Sequence, residues 1–460
     1  MPGRDRGVPG PRHLAVAALL VSLVVLVVSA EPGFAQNLVP DDPTALGERF
    51  PLILIHGWCG SEATWDSFRQ FFTATPQLTD RFKLYYFNFA TGPGTVPLPI
   101  CPDVDSDHTV ERVRLLAQNL RDALPTIPGL APAKEVAILA HSLGGLIARS
   151  YLEEFETSHS PLVLITLATP HHGTTIANDV DPLGLLTSLY WDLYDGSDEP
   201  PNDWLRCLNG LPEDAPTAQG CGTFTATAER RLAVVPKLVA IGVTGQNSLD
   251  PRYPDDGAVP IQSALFDQAE PPIKRRYRGE GGLGPSSTCR GNFFPHTAIH
   301  EPNCLVAEEL ASGRGPQDVF GVVSRELLQT VLELSLDKTA IGVGDTVTLS
   351  MANGAESQGD LFLAVQVPGG FIYAYDGAGW SLMWDGQELF PAALRPLRQN
   401  ATFPEGHEDI LSIAITEPLT PGLYTFFALR VKTGAYALDP GSALSNLAQV
   451  SAMFVGPPID

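Results

Sequence analysis

From residue 50 to about 334, short apolar runs alternate with longer amphipathic ones, and this alternation restricts the fold more than any other feature of the chain. A short run that is apolar throughout must be buried on both faces, and a strand achieves this only in a sheet covered on both sides. The amphipathic segments between the runs supply those covers as crossover helices, which makes the sheet largely parallel. The expected strands are 51–56, 82–89 with alternating aromatics, 135–140, 162–167 and 237–243, and the expected helices are 65–72, 109–124 and 143–155. In 109–124, Val110, Val113, Leu116, Ala117 and Leu120 fall on one helical face. Between the last two strands lies an insertion, about 174–231, rich in Asp, Pro and Gly and carrying Trp191, Tyr194 and Trp204. Insertions of this length without strong periodicity are often lids or binding loops.

Beyond residue 334 the period changes to two. The runs 340–350, 360–367, 410–415 and 422–431 are separated by Asn-Gly, Pro-Gly-Gly and Asp-Gly turns, which predicts an all-β module. Val343-Gly-Asp-Thr-Val-Thr-Leu349 and Pro421-Gly-Leu-Tyr-Thr-Phe-Phe427 resemble the start and end of the immunoglobulin-like β-sandwich modules appended to secreted bacterial proteins. With 460 residues the chain is long enough for two cores. The expected organisation is a leader over 1–35, an α/β domain over 36–334 with its insertion, and a β-sandwich over 335–460. No internal repeat is evident.

The leader is expected because Arg4, Arg6 and Arg12 precede an apolar run over 14–30, with small-residue cleavage sites after Ala30 and Ala35. That places the protein outside the cell, in the periplasm or on the cell surface. A retained membrane anchor is the alternative, since the run is close to the roughly 17-residue minimum for spanning a bilayer. The six cysteines, Cys59, Cys101, Cys207, Cys221, Cys289 and Cys304, all follow the leader without a CxxC pair, so disulfides are favoured over metal ligation. Six cysteines allow 15 connectivities; sequential pairing, 59 with 101, 207 with 221 and 289 with 304, is the simplest. With 29 basic against 52 acidic residues the formal charge is -23, which argues against nucleic acid as a partner.

The chemistry is concentrated where the expected strand 135–140 meets the next helix, at Ala140-His-Ser-Leu-Gly144. A serine exposed on so tight a strand-to-helix turn needs small residues two positions either side, and Ala140 and Gly144 provide them. Together with Ile53-Leu-Ile-His-Gly-Trp58, Leu167-Ala-Thr-Pro-His-His-Gly-Thr174 and Asp256-Gly-Ala-Val-Pro260, this segment resembles the bacterial triacylglycerol lipases and related esterases of the α/β-hydrolase superfamily over about residues 50–310. Alanine stands where the family's pentad usually begins with glycine.

The resemblance implies a Ser-His-Asp enzyme with Ser142 as nucleophile and an oxyanion hole formed by the backbone N–H groups of Leu143 and Trp58. His56 then shapes the oxyanion loop and is not the base. The acid is expected at Asp256, with Asp255 and Asp250 as alternatives. The base is expected at His296 in Pro295-His-Thr-Ala-Ile-His300, with His300 as the second candidate. His171, His172 and Trp191 are the expected substrate-binding residues, the histidine pair shaping the floor of an acyl pocket and the insertion forming a lid. Adjacent histidines without acidic or cysteine partners at ligand spacing do not form a zinc site, and no cofactor is expected; so acidic an extracellular chain leaves room for a structural calcium.

The expected reaction is hydrolysis of a carboxylic ester, with an ester or lipid as substrate and transient contact with a lipid interface. A phospholipase, polyester depolymerase or acyltransferase would use the same machinery, because the triad does not encode the leaving group. A rival from another class is a surface-binding protein whose β-module does the work.

Overall fold

The computed structural model describes residues 38–57, 60–89, 110–131, 134–155, 159, 161–173, 205, 208, 237–244, 256, 259, 261–265, 273–279, 305–307, 319–438 and 442–455. All six cysteines, the leader, most of the insertion, Trp58, Trp191, His296 and His300 lie outside the described residues.

The first half builds an eight-stranded sheet from β1 (Leu38–Pro40), β2 (Phe50–Ile55), β3 (Phe82–Phe87), β4 (Val136–His141), β5 (Pro161–Leu167), β6 (Leu238–Thr244), β7 (Ile273–Gly279) and β8 (Leu305–Ala307). Their spatial order is β1-β3-β2-β4-β5-β6-β7-β8; the six inner strands are parallel, and β1 and β8 run antiparallel at the edges. This is the α/β-hydrolase architecture. Within it lie α1 (Asp66–Thr73), α2 (Pro76–Thr79), α3 (Val110–Ala123), α4 (Leu143–Glu154), α5 (Ile261–Leu265) and α6 (Val319–Leu328).

Period-two alternation divides each central strand between two cores. Ile53, Ile55, Ile138 and Ala140 face α3 and α4, packing on Leu116, Leu120, Leu146 and Tyr151. Leu52, Leu54, Ala137 and Leu139 face the other way, onto Phe68 and Phe72 of α1 and Phe320 and Val323 of α6. Leu205 and Leu208, the two described residues of the insertion, are fully buried in the first of these cores.

The remainder is a β-sandwich. One sheet has the order β16-β11-β9, from β16 (Gly406–Ala414), β11 (Thr346–Asn353) and β9 (Leu332–Leu336). The other has the order β10-β18-β17-β12-β13-β14, from β10 (Ala340–Ile341), β18 (Ala448–Phe454), β17 (Gly422–Val431), β12 (Ser357–Gln366), β13 (Ile372–Tyr375) and β14 (Trp380–Trp384), with β15 (Arg398–Phe403) also pairing β12. The sequence predicts one strand over 340–350; the structure divides it. Gly344, at φ +94, turns the chain so that β10 joins one sheet and β11 the other.

The sandwich begins at Leu332, shortly before the expected boundary at 334, and it is bolted to the α/β region. Leu38–Asp460 forms one compact unit. At the junction Arg430 is almost wholly buried and donates to Asn353 Oδ1 (2.9 Å), Ser357 Oγ and the Gln329 carbonyl. Burial pushes its guanidinium down to about 10. Lys237, on the sheet side, pairs with Glu326 of α6 at 2.9 Å and also donates to Gln329 Oε1 at 3.0 Å. Asn446 binds both backbone groups of Leu332, accepting from N–H at 2.7 Å and donating to C=O at 3.0 Å.

Candidate active site

The site is assembled at the C-terminal ends of the parallel strands, where β4 ends at His141 and α4 starts at Leu143. The single residue between them is Ser142, with φ 52 and ψ -126. A left-handed φ on a side-chain-bearing residue costs on the order of 1–3 kcal/mol and persists only where the surroundings impose it. Here the Ser142 N–H donates to the Leu167 carbonyl at the end of β5 (2.9 Å), and the Ser142 carbonyl accepts from Gly145 N–H (2.9 Å). The neighbouring strand ends in the same manner: Ala168 has φ 49 and its N–H donates to Ile241 at 2.7 Å.

Close backbone approaches explain the small residues around the serine. A Cβ on Gly144 would stand 2.4 Å from the His56 carbonyl oxygen and 2.6 Å from that of Ile55, so α4 can enter only where residue 144 lacks a side chain. A Cβ on Gly145 would overlap the Thr169 side chain. A Cβ on Gly57 would stand 2.8 Å from Ser142 Cβ and 2.8 Å from His141 Nδ1, which puts the loop after β2 directly against the elbow. The glycine-free first position of the pentad is filled by Ala140, buried without conflict in the core beneath.

Leu143 is the first residue of α4, and the N–H groups of a first helical turn have no carbonyl partner within their own helix. Its amide is therefore placed beside Ser142 at the positive end of the helix dipole. His56 is buried, stacks on Phe89 at 4.0 Å between centroids, donates from Nδ1 to the Gly57 carbonyl (2.8 Å) and accepts at Nε2 from Phe89 N–H (3.3 Å). Burial pushes its imidazole down to about 4, the Gly57 contact opposing the shift only in part. A neutral, doubly engaged ring is a brace for the loop that approaches Ser142.

Asp256 lies after β6 and before α5, and it is fully buried. Its Oδ1 accepts from Val259 N–H at 2.7 Å, closing the Asp-Gly-Ala-Val turn on itself. The chain next enters α5, where Ser263 Oγ accepts from His172 N–H (2.9 Å) and donates to the Gly173 carbonyl (2.8 Å). The acid turn and the His171–His172 loop are thus tied to one short helix. His172 keeps partial exposure there.

His171 points inward. It has no exposed surface; its Nε2–H donates to Thr166 Oγ1 (3.0 Å) and its Nδ1 accepts from Arg149 (3.3 Å). Burial, then the adjacent Arg149 and His172 charges, hold its imidazole well below the usual histidine range. Arg149, two turns along α4 from the serine, is itself fully buried, forms an ion pair with Glu153 at 2.8 Å and donates to the Leu208 carbonyl of the insertion at 2.6 Å. This network is absent from the sequence reading. The signal for it is an Arg-Glu pair spaced i, i+4 on the helix that follows the serine.

The structure thus brings together Ser142, Leu143, His56, Gly57 and the 171–173 loop, with Asp256 in the turn beyond β6. Among the described residues there is no cluster of His, Cys, Asp or Glu able to hold a metal ion, and no helix long and apolar enough to cross a membrane.

A model of the PGAP1-like α/β domain family matches residues 47–195, a stretch that contains Ser142. No curated protein matches the chain. Similar solved structures include the mature lipase BlEst2 of Bacillus licheniformis, 18% identical over 53% of this chain and 89% of that one with a TM-score of 0.29. The propeptide form of the same lipase is 13% identical over 92% and 97% with a TM-score of 0.34. Phospholipase PlaB of Legionella pneumophila, in complex with thio-NAD, is 19% identical over 47% and 43% with a TM-score of 0.29.

Proposed function

We propose that the chain is an exported carboxylic ester hydrolase of the lipase or esterase type, with Ser142 as its nucleophile. The observation that carries this reading is the strained Ser142 at the β4–α4 elbow, with Gly57 packed against it. That backbone conformation sets Ser142 on the tight turn between strand and helix, the placement a nucleophilic Oγ requires. In the reading, the base, His296 with His300 as the second candidate, takes the Ser142 Oγ proton as Oγ bonds to the ester carbonyl carbon. Asp256 holds that histidine in the productive tautomer and offsets its positive charge. The carbonyl oxygen becomes an oxyanion facing the N–H groups of Leu143 and Trp58. The C–O bond to the alcohol breaks, the alcohol leaves with the proton, and water repeats the sequence on the acyl-enzyme to release the acid. No step needs a cofactor.

The acyl group is proposed to lie along His172, the partly exposed residue of its loop, under the insertion that carries Trp191; His171, expected to bind substrate, has no exposed surface and supports that loop from within. Hydrolysis of p-nitrophenyl esters from acetate to palmitate tests both parts. Activity that rises with chain length and vanishes in Ser142→Ala supports a lipase. Activity confined to acetate and butyrate reduces it to an esterase, and activity retained in Ser142→Ala removes the assignment.

A further inference from the structure

Arg149 stands close to two turns after Ser142, about 10 Å along the axis of α4 and on the same face, too far to touch a reacting ester. It has no exposed surface, and a buried arginine is stable only where acceptors match its planar fork. Glu153, one turn further on, takes one edge of the fork at 2.8 and 3.4 Å, and that pair alone would balance the charge. The other contacts leave the helix. Nη1 donates to His171 Nδ1 at 3.3 Å, and Nη2 donates to the Leu208 carbonyl at 2.6 Å. A guanidinium can only donate, so His171 Nδ1 accepts and its proton sits on Nε2. That Nε2–H donates to Thr166 Oγ1 at 3.0 Å, and the Thr166 hydroxyl donates to the Val239 carbonyl at 3.4 Å. The bonds therefore run in one direction, from α4 through the loop after β5 and into β6.

His171 carries the loop on which His172 is partly exposed, and Ser263 ties that loop to α5. Leu208, with Leu205, belongs to the insertion and is buried in the core that also contains Leu143, the residue after the serine. One buried side chain thus sets two segments against the helix that follows Ser142. The elements nearest the serine, Gly57 and Leu143, are fixed by their own contacts at the elbow.

We infer that Arg149 is a positioning residue for the acyl end of the substrate: it holds the His171–His172 loop and the insertion at Leu208 in place against α4, and so sets how long an acyl chain the site accepts. The inference rests on the ester-hydrolase reading above. A two-carbon acyl group ends close to the carbonyl, whereas each further methylene buried against these segments adds to binding. Displacing the segments therefore penalises longer chains, and it does so in KM, because ground state and transition state share those contacts.

The test compares kcat and KM for p-nitrophenyl acetate and p-nitrophenyl hexanoate in the full chain and three variants. Arg149→Lys keeps a cation beside Glu153, but an ammonium lacks the planar fork that reaches His171 and Leu208 together. Arg149→Met combined with Glu153→Leu removes both charges, so no carboxylate is left buried without its cation. Arg114→Met breaks a different ion pair of α4, the 2.7 Å contact with Glu154, and is the control for loss of helix anchoring. In both Arg149 variants kcat/KM for the hexanoate is expected to fall at least tenfold further than for the acetate, mainly through KM. In Arg114→Met the ratio of the two esters should stay within twofold of the parent. The two Arg149 variants perturb stability differently, so a folding defect in one is not mistaken for a displaced acyl site. Equal losses on both esters, a parental ratio in Arg149→Lys, the same shift in Arg114→Met, or a parent chain that hydrolyses acetate alone would each overturn the assignment. The hydrolase reading fails separately: a parent inactive on both esters refutes that reading, whereas a parent active on both whose Arg149 variants keep its ratio refutes only the role of Arg149.

Discussion

Gly144→Ala perturbs the elbow at the point where the structure is least tolerant. The added methyl would lie 2.4 Å from the His56 carbonyl oxygen and 2.6 Å from that of Ile55, backbone atoms at and just beyond the end of β2, and 2.9 Å from Ile55 Cγ2. An ordinary contact begins at about 3.4 Å, so α4 or the end of β2 must move by about 1 Å. Alanine gains at most about 1 kcal/mol over glycine from helix propensity, and less in the first turn where Gly144 lies, which only partly opposes the expected loss. Overpacking in a core costs about 1–3 kcal/mol, and against backbone the upper end applies, so a net loss of about 1–2 kcal/mol is expected. For a chain of 460 residues, with an unfolding entropy of about 1 kcal/mol/K, that lowers the melting temperature by roughly 1–2 °C. Activity should fall further than stability, because a misplacement of about 1 Å near a reacting group costs roughly 100-fold in rate. Thermal melts and p-nitrophenyl butyrate kinetics at 25 °C, well below the melt, read the two effects separately. Gly379→Ala, with nothing within 4 Å of the new methyl, is the control and should stay within about 0.5 kcal/mol of the parent. A Gly144→Ala protein that melts with the parent and keeps its kcat would refute the elbow geometry.

Three further outcomes follow from the buried polar groups. Arg430→Ala removes a guanidinium that serves Asn353, Ser357 and Gln329 at the junction of the two regions, and should cost about 3 kcal/mol in a calorimetric melt; a loss under 1 kcal/mol would mean the junction is not held there. His56, neutral in the fold with its pKa near 4 against 6.5 unfolded, binds its proton preferentially in the unfolded chain between those values, so its contribution is full above pH 6.5 and is lost as pH falls toward 4. Urea titrations should show about 2 kcal/mol less stability at pH 5 than at pH 7 from this residue, a difference that shrinks in His56→Gln; equal slopes in the two proteins would contradict it. Glu326 is held below the usual carboxylate range: burial raises it, but Lys237 and Arg325 more than offset that, so its contribution is present above about pH 4.5 and declines as pH falls through the folded value. Glu326→Gln should therefore flatten the acid limb of the stability profile below pH 4.5, and an unchanged limb would contradict the pairing.

Much of the fold is legible because its inner strands are apolar on both faces. Strands expected at 51–56, 135–140, 162–167 and 237–243 correspond to Phe50–Ile55, Val136–His141, Pro161–Leu167 and Leu238–Thr244. Strand β7 escapes that rule because its sequence, IKRRYRG, carries four basic residues next to the sheet edge and offers no apolar run. Short edge strands such as β1 and β8 carry too few residues to show a period. In the sandwich the three-residue turn at 342–344 breaks no periodicity, so β10 and β11 read as one strand until Gly344 is seen at positive φ. At the site, Ser142 is legible from spacing because the clash it avoids is local. The Arg149–Glu153–His171 network is not, because it is closed by residues 59 and 22 positions from Arg149, at Leu208 and His171, that only the tertiary fold brings together.

The central claim is that Ser142 Oγ is the nucleophile, and a fluorophosphonate probe tests it in one experiment. The wild-type chain is expected to gain a single adduct, mapped by mass spectrometry to Ser142 and absent from a folded Ser142→Ala protein. An unlabelled wild-type chain, or an adduct on any other residue that persists in Ser142→Ala, would contradict the account.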